Sequence, residues 1–127
     1  MTPEEFLRLY EVRMKSHRFE DVAPLIADDA VFFFNDGSYV GKESVRRAFE
    51  RTWALEIQDE KYWLDNVRWL VKEEKFAACT FVFHWTGAVK GEHRELGSGR
   101  GTRVLKRSGS DCKVIHEHLS REPQRPS

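Results

Sequence analysis

The chain has 127 residues, the size of a single domain, and carries 21 basic and 21 acidic side chains. This charge balance argues against a nucleic-acid or anionic-membrane partner, because no basic excess is available to release counterions. The sequence has no N-terminal apolar segment typical of export and no run of about 18 apolar residues that predicts a membrane span. We therefore expect a cytoplasmic protein in which Cys79 and Cys112 are buried thiols rather than a disulfide.

The N-terminal part of the chain predicts helices and one hairpin. "TPEEFLRLYEVRMKS" is typical of a helix, since Thr2 can cap it, Pro3 suits the first turn, and apolar side chains recur at helical spacing. "FEDVAPLIADD" indicates a second, shorter helix, and "AVFFFNDGSYVG" a strand, a tight turn and a return strand. "KESVRRAFERTWALE" predicts a third helix, whose basic side we interpret as solvated rather than as a nucleic-acid contact.

The rest of the chain changes to a period of two, which is typical of strands. Four long strands are predicted, in "EKYWLDNVRWLVKE", "KFAACTFVFHWTGAVK", "GRGTRVLKR" and "CKVIHEHLSRE", joined by "KEEK", the polar loop "GEHRELGS" and "SGSD". The expected order is α-α-β-β-α-β-β-β-β, an α+β domain over residues 1–121 followed by a disordered tail over 122–127. "GSGRGT" precedes a strand rather than a helix, so we interpret it as a flexible start of that strand and not as a phosphate-binding loop.

The strand "FAACTFVFHWTG" has two sides, and neither is polar enough to face water over its whole length. One side carries Phe76, Ala78, Thr80, Val82, His84 and Thr86, and the other carries Ala77, Cys79, Phe81, Phe83 and Trp85. Three helices can cover only one face of such a sheet, so the second face needs another cover. A second copy of the chain is the simplest cover, and tolerance of scattered surface aromatics is the alternative. The first reading predicts a homodimer through Phe81, Phe83, Trp85, His116 and His118.

Three stretches, "FEDVAPLIADDAVFF", "GKESVRRAFERTW" and "TRVLKRSGSDCKVIHEHLS", resemble the nuclear transport factor 2-like superfamily. Within it, the chain is similar to SnoaL-like domains and to the association domain of calcium/calmodulin-dependent protein kinase II. The resemblance implies a cone-shaped α+β fold, in which a curved antiparallel sheet with a mixed edge wraps around three helices. It also implies a pocket on the concave face and a homodimer through the convex face. The superfamily includes isomerases, cyclases, dehydratases, transport adaptors and oligomerisation hubs, so the resemblance leaves the function open.

The resemblance also implies which way the last strand faces. Aligning "VIHEHLS" with the kinase association domain puts Glu117 on the concave side, and His116 and His118 on the convex side. Association domains carry arginines where this chain has His84, Arg103 and Leu119. His84, Arg103 and Glu117 are therefore expected to face one concave space. The kinase domains also carry a tryptophan at the position of Trp53.

These residues define a candidate site on the concave face. Glu117 or His84 is the candidate catalytic base, with Arg103 holding an anionic or enolic oxygen. The alternative is that Glu117 and Arg103 form a structural ion pair. Arg103, Trp53 and Tyr62 are the residues expected to bind a ligand.

Neither a metal nor a cofactor is expected. A zinc site needs three or four ligands, and His116 and His118 have no further histidine or cysteine cluster beside them. We favour a domain that binds a small, partly apolar molecule, either neutral or acidic. An isomerase-, cyclase- or hydratase-type enzyme and an oligomerisation hub are the alternatives.

Overall fold

The computed structural model describes residues 1–89 and 93–122, which form three helices and one six-stranded sheet. The helices are α1 (Pro3–Met14), α2 (Phe19–Val22) and α3 (Lys42–Trp53). The strands are β1 (Ile26–Phe34), β2 (Gly37–Val40), β3 (Ile57–Lys72), β4 (Phe76–Val89), β5 (Arg94–Ser108) and β6 (Asp111–Arg121). The expected α+β order is confirmed. None of the helices in the described part of the chain is long and apolar enough to cross a membrane.

The sheet has the spatial order β2-β1-β6-β5-β4-β3. All neighbouring strands run antiparallel except β1 and β6, which are parallel, so the predicted mixed edge is confirmed. The long strand β3 is interrupted by register shifts, and Asp59 and Asn66 adopt positive φ angles of 52° and 50° at two of them. Such bulges increase the local twist and bend of a strand, which suits a curved sheet.

The first helix begins as the sequence predicts, because the Thr2 hydroxyl accepts a hydrogen bond of 3.1 Å from the Glu5 amide. The second helix is shorter than predicted. It ends at Val22, continues as a 3-10 turn over Ala23–Leu25, and gives way to β1 at Ile26. Pro24 lacks an N–H group for a longer helix, and the fully buried Ile26 side chain packs in the core.

The prediction of a loop over "GEHRELGS" is wrong from its fourth residue onward, because β5 already begins at Arg94. Its first residues, 91 and 92, lie outside the described residues, as do residues 123–127 of the expected tail. Glu122, the first residue of the expected tail, is described, and its amide donates a hydrogen bond of 3.2 Å to the Ser98 carbonyl. The "KEEK" and "SGSD" connections fall where predicted, between β3 and β4 and between β5 and β6.

The core lies between the helices and the concave face of the sheet. Its fully buried large side chains include Phe6 of α1, Phe19 of α2, Val45 of α3, and Phe32 and Leu105 of the sheet. Cys79 and Cys112 are buried free thiols, as predicted. The helices therefore cover one face of the sheet.

On the concave face, aromatic rings pack directly against the backbone of two glycines of "GSGRGT". A Cβ atom at Gly101 would overlap the ring of Phe81 and approach the Leu119 side chain to 2.9 Å. A Cβ at Gly99 would overlap the ring of Phe83 and the backbone of β6. The bare backbone of β5 thus lets both rings lie close against the sheet, so the segment has a packing role that its predicted flexibility did not include.

The strand register contradicts the predicted assignment of the two sides of β4 to the concave and convex faces. Directly paired residues project to the same side of a sheet, and Cys79 pairs with Arg103, whereas His84 pairs with Ser98. No register shift interrupts this ladder, so the odd-numbered positions of β4 share the face of Arg103 and the even-numbered positions do not. Phe81, Phe83 and Trp85 therefore lie on the concave face instead of the convex interface. His84 lies on the convex face instead of in the pocket.

Candidate functional site

A cavity of about 310 Å³ lies between the concave face of the sheet, α1 and α3. Most of its wall is apolar or aromatic, with side chains from both helices and from four strands: Met14, Phe34, Phe49, Trp53, Leu64, Trp85 and Leu119. Trp53 and Tyr62, which were predicted to bind a ligand, both line it. The volume is near the lower end of the range found for small-molecule sites, so the cavity suits a compact molecule.

The buried end of the cavity holds an ion pair between Arg103 and Glu117. These two side chains are paired in the ladder between β5 and β6, and both residues are 3% exposed. The Arg103 Nε and Nη2 atoms lie 2.7 and 2.5 Å from one oxygen, Glu117 Oε1. Within the described residues, no group bonds to the other oxygen, Oε2.

The surroundings of Arg103 keep it charged. The guanidinium lies over the rings of Tyr10 and Phe81, at 4.6 and 5.0 Å from their centroids. Burial lowers the pKa of Arg103, but the Glu117 carboxylate and the nearby tyrosines more than offset this, so the pKa is raised above its usual value. The pair therefore places a positive and a negative charge, held in a fixed orientation, next to the cavity.

Two tyrosine hydroxyls lie in the same region without partners. The Tyr10 hydroxyl is buried and has no hydrogen-bond partner, and no described residue bonds to the Tyr62 hydroxyl. Burial, and then the Glu117 carboxylate, raise the pKa of both phenols well above the usual value. Both therefore stay protonated at neutral pH and are available as O–H donors.

The outer end of the cavity carries a second polar group, the cavity histidine cluster of His17, Glu60, Trp53 and Trp85. His17 Nε2 lies 3.0 Å from Glu60 Oε1, and the Trp85 indole N–H donates a hydrogen bond of 3.0 Å to Glu60 Oε2. The His17 ring stacks on Trp53, with centroids 5.3 Å apart and planes 9° from parallel. The imidazole is thus held by a carboxylate at its edge and by an aromatic ring at its face.

The convex face carries a similar group, the convex histidine cluster of His84, Asp65, Trp63 and Ser98. His84 Nε2 lies 2.9 Å from Asp65 Oδ2, and its ring stacks on Trp63 with centroids 5.1 Å apart. Its Nδ1 atom lies 2.9 Å from the Ser98 hydroxyl, so both ring nitrogens have partners. His84 cannot act in the cavity from this position.

His116 and His118 lie on the convex side, at the register positions of Val104 and Thr102 in β5. His116 Nδ1 lies 2.7 Å from the Val31 carbonyl, and both imidazoles contact the ring of Phe33 edge-on. Across the described ranges, 1–89 and 93–122, no group of three or more His, Cys, Asp or Glu side chains could hold a metal ion.

Sequence reasoning missed two polar contributors to the cavity, because His17 and Glu60 were not considered at all. Tyr10 was counted among the aromatic side chains that either line a wall for a flat ligand or belong to the core. Tyr10 lies one helical turn after Phe6 on the buried stripe of α1, which was a usable signal. His17 and Glu60 lie 43 residues apart in connecting or irregular segments, so no local pattern relates them.

The mixed sheet, the helices on one of its faces and the cavity between them are the architecture of the nuclear transport factor 2-like superfamily. The family profile of SnoaL-like domains matches residues 6–116, and the chain belongs to this family. No curated protein matches the chain closely enough to count as a relative.

Solved structures agree on the fold. A nuclear transport factor 2-like superfamily protein from Salmonella enterica serovar Typhimurium is 16% identical, with 96% of this chain and 89% of that chain covered and a TM-score of 0.83. A protein from Novosphingobium aromaticivorans, provisionally named a scytalone dehydratase, is 13% identical, with 94% and 81% covered and a TM-score of 0.83. The association domain of the Caenorhabditis elegans CaMKII is 14% identical, with 92% and 93% covered and a TM-score of 0.73. Identities this low establish a shared fold and no shared activity.

Proposed function

We propose that the concave cavity binds a small, largely apolar molecule that presents an oxygen acceptor to the buried end. The observation that carries this proposal is the pair of protonated tyrosine hydroxyls, Tyr10 and Tyr62, that have no partner beside the Arg103–Glu117 ion pair. The Tyr10 hydroxyl is buried without a partner, which costs free energy, and a ligand oxygen would remove that cost.

The charges at the buried end favour a neutral ligand oxygen over a full carboxylate. Glu117 already neutralises Arg103 through two contacts, and its free Oε2 would repel a second anion. A ketone or ester carbonyl accepts hydrogen bonds without this repulsion. The acidic ligand considered from the sequence is therefore the less favoured form.

The apolar wall accounts for the rest of the ligand. Flat or compact hydrocarbon can pack between Trp53 and Phe49 on one side and Leu64 and Leu119 on the other. Glu117 is the candidate base if the protein also catalyses a reaction, because it is the carboxylate beside the proposed oxygen position.

The test uses 1-indanone, a compact bicyclic ketone, and indane, which has the same ring system without the oxygen. Trp53 and Trp85 line the cavity, so intrinsic tryptophan fluorescence reports binding directly. We expect the ketone to bind more tightly than the hydrocarbon, and Tyr62→Phe to reduce that preference about five-fold, as expected for one neutral hydrogen bond.

Tyr39→Phe is the matched control. The Tyr39 phenol lies outside the cavity and bonds to Asp36 and Arg51, so its removal should leave the ketone preference unchanged. Equal affinities for ketone and hydrocarbon in the wild-type protein would contradict the proposed oxygen site. Absence of binding by either compound would remove the proposed function altogether.

Self-association through the convex face is a second proposal. Its supporting observation is a row of mostly apolar side chains across five strands, at the register positions Val71, Ala78, Val104, His116 and Val31. Phe33, Trp63 and Phe76 on the same face are 37–48% exposed. The helices cover the opposite face, so a second copy is the proposed cover, burying at least ~1,200 Å².

Sedimentation equilibrium of the wild-type protein and two variants tests this interface. Val71 is 41% exposed in the monomer, so Val71→Glu should dissociate the dimer without unfolding the chain. Val12→Glu, at a 65% exposed position of α1, is the control and should leave the dimer intact. A wild-type monomer at micromolar concentration would end this second proposal.

A further inference from the structure

The orientation of His17 is fixed to an unusual degree for a side chain at the outer end of a cavity. Its ring stacks on Trp53, and its Nε2 atom meets Glu60. The residue itself adopts a positive φ angle of 57° directly after the end of α1, where its amide donates a hydrogen bond of 3.3 Å to the Met14 carbonyl. The Glu60 and Trp53 contacts therefore restrict the orientation of the imidazole ring.

The hydrogen bonds also determine which ring nitrogen carries the proton. The Trp85 indole can only donate, so it occupies Glu60 Oε2, and Glu60 Oε1 is left to accept from His17. In a neutral imidazole, Nε2 therefore carries the hydrogen and Nδ1 carries the lone pair. None of the described residues bonds to His17 Nδ1. His17 lines the cavity with a side chain that is 34% exposed, so Nδ1 is an acceptor without a described protein partner at the solvent-reachable end of the cavity.

The two ends of the cavity are linked through the sheet. Tyr62 is directly opposite Trp85 in the ladder between β3 and β4, and Trp85 bonds to the Glu60 that orients His17. Tyr62 and His17 both line the cavity, so a molecule that fills it lies against both side chains.

We infer that the cavity selects molecules with a carbonyl oxygen at one end and an O–H or N–H donor at the other, the donor bonding to His17 Nδ1. This inference rests on the proposed binding function and adds a ligand class to it: compact hydroxy- or amino-substituted ketones. Within the site, His17 is the specificity-determining residue and Glu60 is the positioning residue that sets its tautomer.

The test compares 5-hydroxy-1-indanone with 5-methoxy-1-indanone, and the two 6-substituted isomers in the same way. The hydroxyl donates to Nδ1, whereas the methyl ether has only an acceptor. For the isomer that reaches His17, we expect the hydroxy compound to bind at least about five-fold more tightly, measured by tryptophan fluorescence.

Glu60→Gln turns this preference into a test of the tautomer. The Trp85 N–H holds the amide oxygen of the new side chain, so the amide NH₂ faces His17 Nε2, which must then accept. Nδ1 becomes the donor, and the methyl ether becomes an acceptable partner. The affinity ratio of hydroxy to methoxy compound should fall to about one. Because the same affinity ratio is compared between the wild-type protein and the variant, the steric effect of the methyl group on affinity cancels.

Two further variants complete the design. His17→Asn keeps a residue that tolerates the positive φ angle and removes the imidazole, so it should also abolish the preference if Glu60→Gln folds poorly. Asp65→Asn changes the equivalent carboxylate of the convex histidine cluster, and should leave the ratio unchanged.

The outcomes separate this inference from the function on which it rests. If 1-indanone binds but neither hydroxy isomer is preferred, or if the preference survives in both Glu60→Gln and His17→Asn, the ligand class is wrong and the binding function stands. If 1-indanone itself does not bind, the proposed function fails and this inference fails with it.

Discussion

The cavity histidine cluster and the convex histidine cluster contain the same three parts. Each has an imidazole, a carboxylate about 3 Å from Nε2, and a tryptophan stacked on the ring. They differ in the remaining nitrogen, which bonds to the Ser98 hydroxyl in His84 and has no described partner in His17. They also lie on opposite faces of the sheet, one beside a cavity and one beside solvent.

The difference shows that the residue types in a cluster do not define its function. The face of the sheet on which the cluster lies and the hydrogen-bonding atoms that it leaves without a partner must also be known. The convex cluster is complete in itself and fastens β3, β4 and β5 together across three strands. The cavity cluster connects the loop after α1 to β3 and leaves one acceptor unused. Substitutions on the concave face should therefore cost more stability than a substitution in the convex cluster.

Arg103→Met should be the most damaging change, because it leaves the Glu117 carboxylate buried without a charged partner. We expect the free energy of unfolding, measured with urea at neutral pH, to fall by about 3–5 kcal/mol. The double variant Arg103→Met with Glu117→Gln should recover much of that loss, since it removes the unpaired charge. A loss below about 1 kcal/mol, the range of an exposed pair, would mean that Glu117 is not confined as the structure describes.

Gly101→Ala should be the next most damaging change. The added methyl group overlaps the Phe81 ring, so the ring or the strand must move, at a cost of about 1–3 kcal/mol. Gly97→Ala in the same strand is the control, because nothing lies within 4 Å of its Cβ position, and its effect should stay within about 0.5 kcal/mol. Similar unfolding midpoints for the two variants would contradict the close packing of the Phe81 ring against the backbone of Gly101.

The buried phenols should make the concave face sensitive to alkali. Burial raises the pKa of Tyr10 and Tyr62, so the folded protein keeps both protonated while the unfolded chain releases these protons near pH 10. The stability that they contribute is present below about pH 10 and is lost as the pH rises further. Urea midpoints at about pH 9.5 and 11 should show this loss, and Tyr62→Phe should reduce it more than Tyr39→Phe does. Equal losses in the two variants would count against the burial of Tyr62.

Asp65→Asn should have the smallest effect. The Asp65 side chain is 54% exposed, and solvent screens its interaction with His84, so the free energy of unfolding should change by less than about 1 kcal/mol. Chemical unfolding of this variant beside Glu60→Gln compares the two clusters directly. A loss of several kcal/mol would show that the convex cluster holds the sheet together far more strongly than its exposure indicates.

The face to which a side chain points could be predicted only where the pairing register of its strand could be predicted as well. On β6, alternation put Glu117 on one side and His116 and His118 on the other, and the structure agrees. On β4, alternation correctly grouped Phe81, Phe83 and Trp85, but assigned the group to the wrong face. Parity within one strand says which residues belong together, whereas only pairing with β5 says which group meets Arg103.

The sequence by itself determined the α+β order, the bounds of most elements, the buried thiols and the partnership of Arg103 with Glu117, because these depend on local propensity, periodicity and family resemblance. The tertiary structure alone decided which histidine reaches the cavity. His17 meets Glu60 across 43 residues, through a left-handed backbone position in one segment and a bulge beside Glu60 in the other. Neither feature has a periodic signal, since each is held by contacts that exist only after the sheet has curved around the helices.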